Sequence, residues 1–288
     1  MPLSATLGRL LWDVPTRASH GTNVRMDRVL PAGEELLPTP ESAVVWLTGF
    51  PAGSAPWLLE RAAALLTTGE RSGAERMRLP EARSEFLLGR ALLRSLLARR
   101  LGCSAGAVPL EAIPQHKPRL MPGSGPIEFN LSHAGGRIAI AMTQGVSVGV
   151  DIEAIDPEVE FMEIAGSHFA AAERSVLVRA REDCRARCFF RLWTRKEAVV
   201  KAAGDGLTLP LDGFDVSPAL PEELSLVIDS LECGMGSWYV RDVPAEGQFT
   251  AAIALAKPGM LVHRVVLDEQ NVASLFQAGT AFSQVRVA

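Results

Sequence analysis

The chain has no Cys-x-x-Cys pair, no apolar run long enough to cross a bilayer and no excess of basic charge. Each absence excludes a class. The four cysteines are Cys103, Cys184, Cys188 and Cys233. Cys184 and Cys188 fall one helical turn apart, yet no second Cys/His pair at zinc spacing answers them. The reading is free thiols in a reducing compartment. No stretch approaches the ~18 apolar residues of a membrane helix. The apolar stretch at residues 7–12 is short and broken by Arg9, so no secretory signal and a cytoplasmic location are expected. The 29 basic and 33 acidic residues give a formal net charge of −4, which argues against a globally basic nucleic-acid binder. There is no G-x-S-x-G, so the adjacent Ser132 and His133 lack the setting of a hydrolase nucleophile.

What is present is a chain rich enough in apolar residues to fold. Of its 288 residues 48% are hydrophobic and 22% charged, enough for one large domain or two ordinary ones and too apolar for global disorder. Residues 1–40 carry Pro2, Pro15, Pro31, Pro38 and Pro40 and read as an N-terminal extension. Beyond it the pattern predicts a strand at 43–47, helices at 56–66 and 81–100, and a Pro- and Gly-rich loop at 109–126. Strands are expected at 127–130, 137–143 and 146–153, with Gln144-Gly145 as a hairpin turn between the last two. Helices at 171–180 and 183–203 follow, then strands at 214–217, 224–228, 237–243, 249–256 and 261–267, and a short helix at 272–277. The order is α+β with α/β-type halves. Two similar halves, 41–144 and 145–288, are the expected division.

Two segments carry chemistry. In Val148-Gly149-Val150-Asp151-Ile152-Glu153, strand alternation puts Asp151 and Glu153 on one face. In Trp193-Thr194-Arg195-Lys196-Glu197-Ala198-Val199-Val200-Lys201, helical spacing puts Trp193, Glu197 and Lys201 on one face. If strand and helix meet, three carboxylates and a lysine converge, a nest for Mg²⁺ and a polyphosphate. Taken singly, each has a plainer reading: a solvated acidic pair on a strand, and an i,i+4 salt bridge between Glu197 and Lys201. The run Asn130-Leu131-Ser132-His133 ends a strand before Gly135-Gly136 and offers a hydroxyl, an imidazole and backbone N–H groups to phosphate oxygens. Lys117 lies in the Pro-rich loop; Arg83 and Arg90 are seven apart on one helix and share a face. These too are compatible with simple solvation.

Taken together and in order, these segments resemble the 4′-phosphopantetheinyl transferase superfamily, in its larger single-chain group typified by surfactin- and enterobactin-pathway enzymes. The carrying motifs are His116-Lys117-Pro118, Phe129-Asn130-Leu131-Ser132-His133, Gly149-Val150-Asp151-Ile152-Glu153, the helix from Trp193 to Lys201, and Gly204-Asp205-Gly206-Leu207. The resemblance spans roughly residues 44–256. It implies a pseudo-twofold pair of α/β halves with coenzyme A between them. It implies Mg²⁺-dependent (or Mn²⁺-dependent) transfer of the 4′-phosphopantetheine arm to a serine of an acyl or peptidyl carrier protein, with 3′,5′-ADP leaving. By the same resemblance Asp151, Glu153 and Glu197 are metal ligands. Glu197 is also the base, and Lys201 contacts the diphosphate and assists the leaving group. Ser132 and His133 hold phosphate oxygens, Lys117 helps fix the nucleotide, and Arg83 and Arg90 serve the 3′-phosphate. A monomer is expected, acting without nucleic acid or membrane. The competing readings are a non-catalytic coenzyme A- or nucleotide-binding regulatory module and a metal-dependent phosphohydrolase.

Overall fold

The computed structural model describes residues 37–50, 56–111, 117–204, 210–217, 224–227 and 237–281, with backbone alone for 224–227 and 279–281. Most of the N-terminal extension, His116, Asp205 to Leu207 and Cys233 lie outside these residues. Strand β1 (Ser42–Gly49) is followed by helices α1 (Pro56–Ala64), α2 (Thr68–Glu75) and α3 (Pro80–Leu101). The short β2 (Leu110–Glu111) and β3 (Arg119–Leu120) lead to β4 (Ile127–Ala134), β5 (Arg137–Gln144) and β6 (Val148–Ala154). Then come α4 (Phe161–His168), α5 (Ala171–Arg179) and α6 (Glu182–Ala203), β7 (Leu224–Val227), β8 (Ser237–Asp242), β9 (Phe249–Leu255), β10 (Leu261–Leu267) and α7 (Glu269–Ala281).

Two four-stranded sheets, in the orders β10-β1-β5-β4 and β6-β9-β8-β7, lie face to face. The alternation of their strands explains why. Ala43, Val45 and Leu47 of β1 point toward Val148, Val150 and Ile152 of β6 and Ala251, Ile253 and Leu255 of β9, forming a dry seam between sheets. The opposite face of the first sheet, with Val44, Trp46, Ile138 and Ile140, packs on α1, α3 and α7. The opposite face of the second, with Trp238, Val240, Ala252 and Ala254, packs on α4, α5 and α6. The result is a helix–sheet–sheet–helix stack of α+β class. In both sheets a strand, a helical segment and then an antiparallel pair recur in the same order, β1-β5-β4 and β6-β9-β8. Strand β10 returns to the first sheet and runs parallel to β1.

Three local expectations need correction. Gln144-Gly145 joins no hairpin: β5 pairs with β1 and β4, whereas β6 pairs with β9 in the other sheet. The hairpin lies one connection earlier, at Gly135-Gly136, whose φ values of 54° and 77° are those of a type I′ turn. Residues 214–217 form no strand. They follow the 3₁₀ turn Leu211–Gly213 and are held by side chains of α5 and α6. Helices α2 and α4 were not expected. The first is marked in sequence by a capping box, Thr67 with Glu70.

Candidate active site

The site begins with a glycine. Gly149 lies on the face of β6 that meets α6, where a Cβ would stand 2.0 Å from the Ala198 carbonyl oxygen and 2.4 Å from the Ala202 nitrogen. Only a residue without a side chain lets the helix backbone come this close. Two and four residues on, with the same facing, are Asp151 and Glu153. The helix turns that touch Gly149 carry Glu197 and Lys201. Gly149→Ala is therefore expected to push α6 off β6. Overpacking of this kind costs about 1–3 kcal/mol, and turnover should fall as well. Urea unfolding and a turnover assay check both, and a variant matching the parent in both would break the link.

Asp151 is 1% exposed. Its Oδ1 accepts hydrogen bonds from Ser132 Oγ at 2.9 Å and from Lys201 Nζ at 2.5 Å, and Lys201 Nζ also donates to Ser132 Oγ at 3.0 Å. Its Oδ2 is buried and has no hydrogen-bond partner among the described residues. Burial pushes the pKa of Glu153 up to about 7, and the charges of Asp151 and Glu197 add to the rise; Lys201 and a hydrogen bond from Trp193 oppose it. Glu197 is pushed up by burial and then by Asp151, again against Lys201. Three carboxylates thus share one lysine, an excess of negative charge that a dication would balance. The donors are all oxygen, as Mg²⁺ and Mn²⁺ prefer, and the orphaned Asp151 Oδ2 is an acceptor such an ion would satisfy. As the side chains lie, no three His, Cys, Asp or Glu groups among the described residues form a closed metal cage. The chemistry of the donor set fits a divalent cation, with Lys201 holding one of the oxygens.

This electrostatics has a pH signature. Folded, Glu153 keeps its proton to about pH 7, against an ordinary value of 4.5 for the free side chain. Between those values the folded state binds more protons than the unfolded, so stability falls as pH rises through the window. Cation binding needs ionised carboxylates. Mg²⁺ is therefore expected to raise the melting temperature more at pH 8 than at pH 6. Thermal melts with Mg²⁺ or EDTA at both pH values check this, and a pH-independent increment would count against Glu153 as a ligand.

The other expected residues are spread around this centre. Alternation along β4 sends Ser132 to Asp151 and its neighbour His133 to the opposite face, where Nδ1 lies 2.9 Å from Glu85 Oε2 on α3. Glu85 also accepts the Gly136 N–H at 2.6 Å, tying α3 to the hairpin. Lys117 Nζ donates to the Val148 carbonyl at 2.8 Å, and burial pushes its pKa down to about 8. Arg83 is exposed and donates to the Met77 carbonyl. Arg90 lies over the Phe86 ring, 3.5 Å from Glu70, its pKa lowered chiefly by burial. So β6 and α6 bring together Asp151, Glu153, Glu197 and Lys201, and β4 adds Ser132. His133, Arg83 and Arg90 belong to the α3 side of the first sheet. The described cysteines, Cys103, Cys184 and Cys188, are free, and burial raises the Cys188 pKa to about 11.

Sequence reasoning passed over the groups that hold this arrangement. Arg195 grips Asp242 at 2.6 and 2.9 Å and the Val216 carbonyl at 2.8 Å. Lys196, fully buried, pairs with Glu173 at 2.8 Å and donates to the Leu211 and Phe214 carbonyls at 2.6 Å each. Trp193 stacks with Phe189 and Phe169 while bonding Glu153. Asn130 accepts the Val150 N–H at 2.8 Å. One signal was available for Lys196: its i−4, i+3 and i+4 neighbours are Leu192, Val199 and Val200, so helical spacing puts it on an apolar face, where a buried cation must find partners.

Comparison with known proteins agrees with this geometry. A family model described as the 4′-phosphopantetheinyl transferase superfamily matches residues 147–254, which include β6 and α6. The chain is 30% identical over 203 residues to 4′-phosphopantetheinyl transferase HetI of Nostoc sp., covering 69% of this chain and 81% of that protein. It is 28% identical over 199 residues to 4′-phosphopantetheinyl transferase Sfp of Bacillus subtilis, covering 69% and 86%. It is 33% identical over 154 residues to 4′-phosphopantetheinyl transferase AcpT of Salmonella typhi, covering 51% and 76%. With that coverage, and with the acidic strand and its helix inside the matched region, the chain belongs to the 4′-phosphopantetheinyl transferase superfamily and is an enzyme of that class.

Proposed function

We propose that the protein transfers the 4′-phosphopantetheine arm of coenzyme A to a serine of an apo acyl or peptidyl carrier protein in a Mg²⁺-dependent reaction that releases 3′,5′-ADP. The observation that carries the reading is the cluster of Asp151, Glu153, Glu197 and Lys201 around the buried Asp151, beside Ser132. The relatives named for this activity support it. The two halves, 41–144 and 145–288, are read as a pseudo-twofold pair with coenzyme A between them. The recurring strand order supports that plan, although β10 and α7 return to the first half. No helix among the described residues is long and apolar enough to cross a membrane. Our reading is a cytoplasmic protein and, because both halves lie in one chain, a monomer.

The reaction forms a bond from the carrier serine Oγ to the phosphorus that bears pantetheine and breaks the phosphoanhydride bond to 3′,5′-ADP. Asp151, Glu153 and Glu197 would hold the divalent cation, which when bound supplies charge neutralisation at the phosphate oxygens. Glu197 takes the serine proton. Burial and the Asp151 charge raise its pKa and so its basicity, and it would act on the serine directly or through a water. Lys201 balances charge on the diphosphate and assists the departing oxygen. Ser132, His133 and Lys117 would line the phosphates and nucleotide, and Arg83 and Arg90 the 3′-phosphate.

The test is intact-protein mass spectrometry of a panel of apo carriers mixed with this protein, coenzyme A and Mg²⁺. A phosphopantetheine mass gain abolished by EDTA is expected. Coenzyme A binding without any gain would favour a regulatory module instead, and release of 3′,5′-ADP without a carrier would favour a phosphohydrolase.

A further inference from the structure

Strand β6 is the outermost of its sheet, so among the described residues one edge has no strand beside it. Alternate amides on such an edge point away from the sheet and, once buried, need acceptors. Val150 and Ile152 turn theirs toward β4, itself the outer strand of the other sheet. The answer comes from side chains. Asn130 Oδ1 accepts the Val150 N–H at 2.8 Å, and Ser132 Oγ accepts the Ile152 N–H at 3.4 Å. Both acceptors are buried. Two side chains at β-spacing meet two amides at the same spacing, a ladder in which Asn130 and Ser132 replace a strand.

We propose that Asn130 is a positioning residue for the transfer centre, acting through the backbone of β6. Its carboxamide oxygen fixes the Val150 amide and thereby the height of the next residue, Asp151, against α6. Asp151 lies between the two clamped amides, and its Oδ1 is within 2.9 Å of Ser132 Oγ and 2.5 Å of Lys201 Nζ. Hydrogen bonds of this kind weaken steeply with small displacements, and a shift of ~1 Å can cost about 10²-fold in rate. Ser132 has the same duty on one side and bonds Asp151 directly on the other. Asn130 therefore isolates the positioning role. The inference rests, for its kinetic part, on the transfer reaction proposed above.

The test compares two full-length variants with the parent. Asn130→Leu keeps the approximate volume and removes the acceptor, whereas Asn130→Asp keeps an acceptor oxygen in place. In Asn130→Leu, exchange of the Val150 amide should quicken by about tenfold or more as its local protection is lost. Mn²⁺ affinity, read by electron paramagnetic resonance, should weaken by about tenfold or more, the low end of what is expected when a ligand's supporting shell is removed. Its kcat should drop by about tenfold or more with KM for coenzyme A within about twofold, the pattern of a group that matters in the transition state. Asn130→Asp should recover most of each loss. A folded Asn130→Leu protein with parental kcat and Mn²⁺ affinity overturns the proposal. So does one that melts lower but turns over normally per folded molecule. If Asn130→Leu does not fold, Asn130→Asp decides: a protected Val150 amide with lost transfer and lost Mn²⁺ affinity overturns it. Should the parent itself transfer nothing, the functional reading fails, while amide exchange and Mn²⁺ binding still judge the clamp.

Discussion

Asp151→Ala is expected to give a folded protein whose transfer rate has dropped by about 10²–10³-fold, the usual loss when one preorganised electrostatic group is removed from a reacting centre. The fold should tolerate it. The partner left behind, Lys201, keeps 28% side-chain exposure and can be hydrated, so the penalty of a stranded buried charge does not arise in full. The change should also reach its neighbours. Asp151 is among the causes that lift Glu153 and Glu197, so both should titrate closer to the ordinary carboxylate range in the variant. Carrier modification by mass spectrometry, circular dichroism and carboxyl-carbon NMR titration check the three parts. Normal turnover by the folded variant would remove Asp151 from the site. Lys201→Ala is expected to slow transfer as well. Because the two groups touch, the double variant should lose less than the sum of the single losses.

The largest effect on stability should come from Lys196→Met. The Lys196 ammonium is fully buried and spends its three protons on Glu173, Leu211 and Phe214, with the Phe214 ring 4.2 Å away. Methionine fills the space but leaves Glu173 charged and buried and strands two carbonyls. Breaking a buried pair from one side costs about 3–5 kcal/mol. Glu173 would keep the Val216 and Ala170 N–H groups as donors, which argues for the lower half of that range. Adding Glu173→Gln removes the uncompensated charge and should return part of the stability. Urea unfolding of both variants and the parent supplies the cycle. A single-variant loss under about 1 kcal/mol would show that the pair contributes little. The prediction bears on function because this lysine ties the helix carrying Glu197 to the 3₁₀ turn and the residues after it.

Much of the secondary structure was legible because it depends on local periodicity. Helices α3 and α6 and strands β5, β6, β8, β9 and β10 lie where apolar spacing, with Gly102 and Gly204 at the helix ends, puts them. The failures were failures of pairing. Gln144-Gly145 looks like a hairpin turn, but no local feature says that β5 will pair with β1 and β6 with β9. Residues 214–217 alternate like a strand, yet Lys196, Glu173 and Arg195 occupy their backbone groups instead.

The site divides in the same way. By itself the sequence determined which residue types share a face: Asp151 with Glu153, and Trp193 with Glu197 and Lys201. Those relations are fixed by the two-residue period of a strand and the 3.6-residue period of a helix. Only the tertiary structure decided that the two faces meet, since the contact depends on backbone approach at Gly149. It also separated Ser132 from His133 and made Asn130, Arg195 and Lys196 into supports. Burial and partner choice across 15 to 47 positions of chain are set by packing, and local pattern carries no record of them.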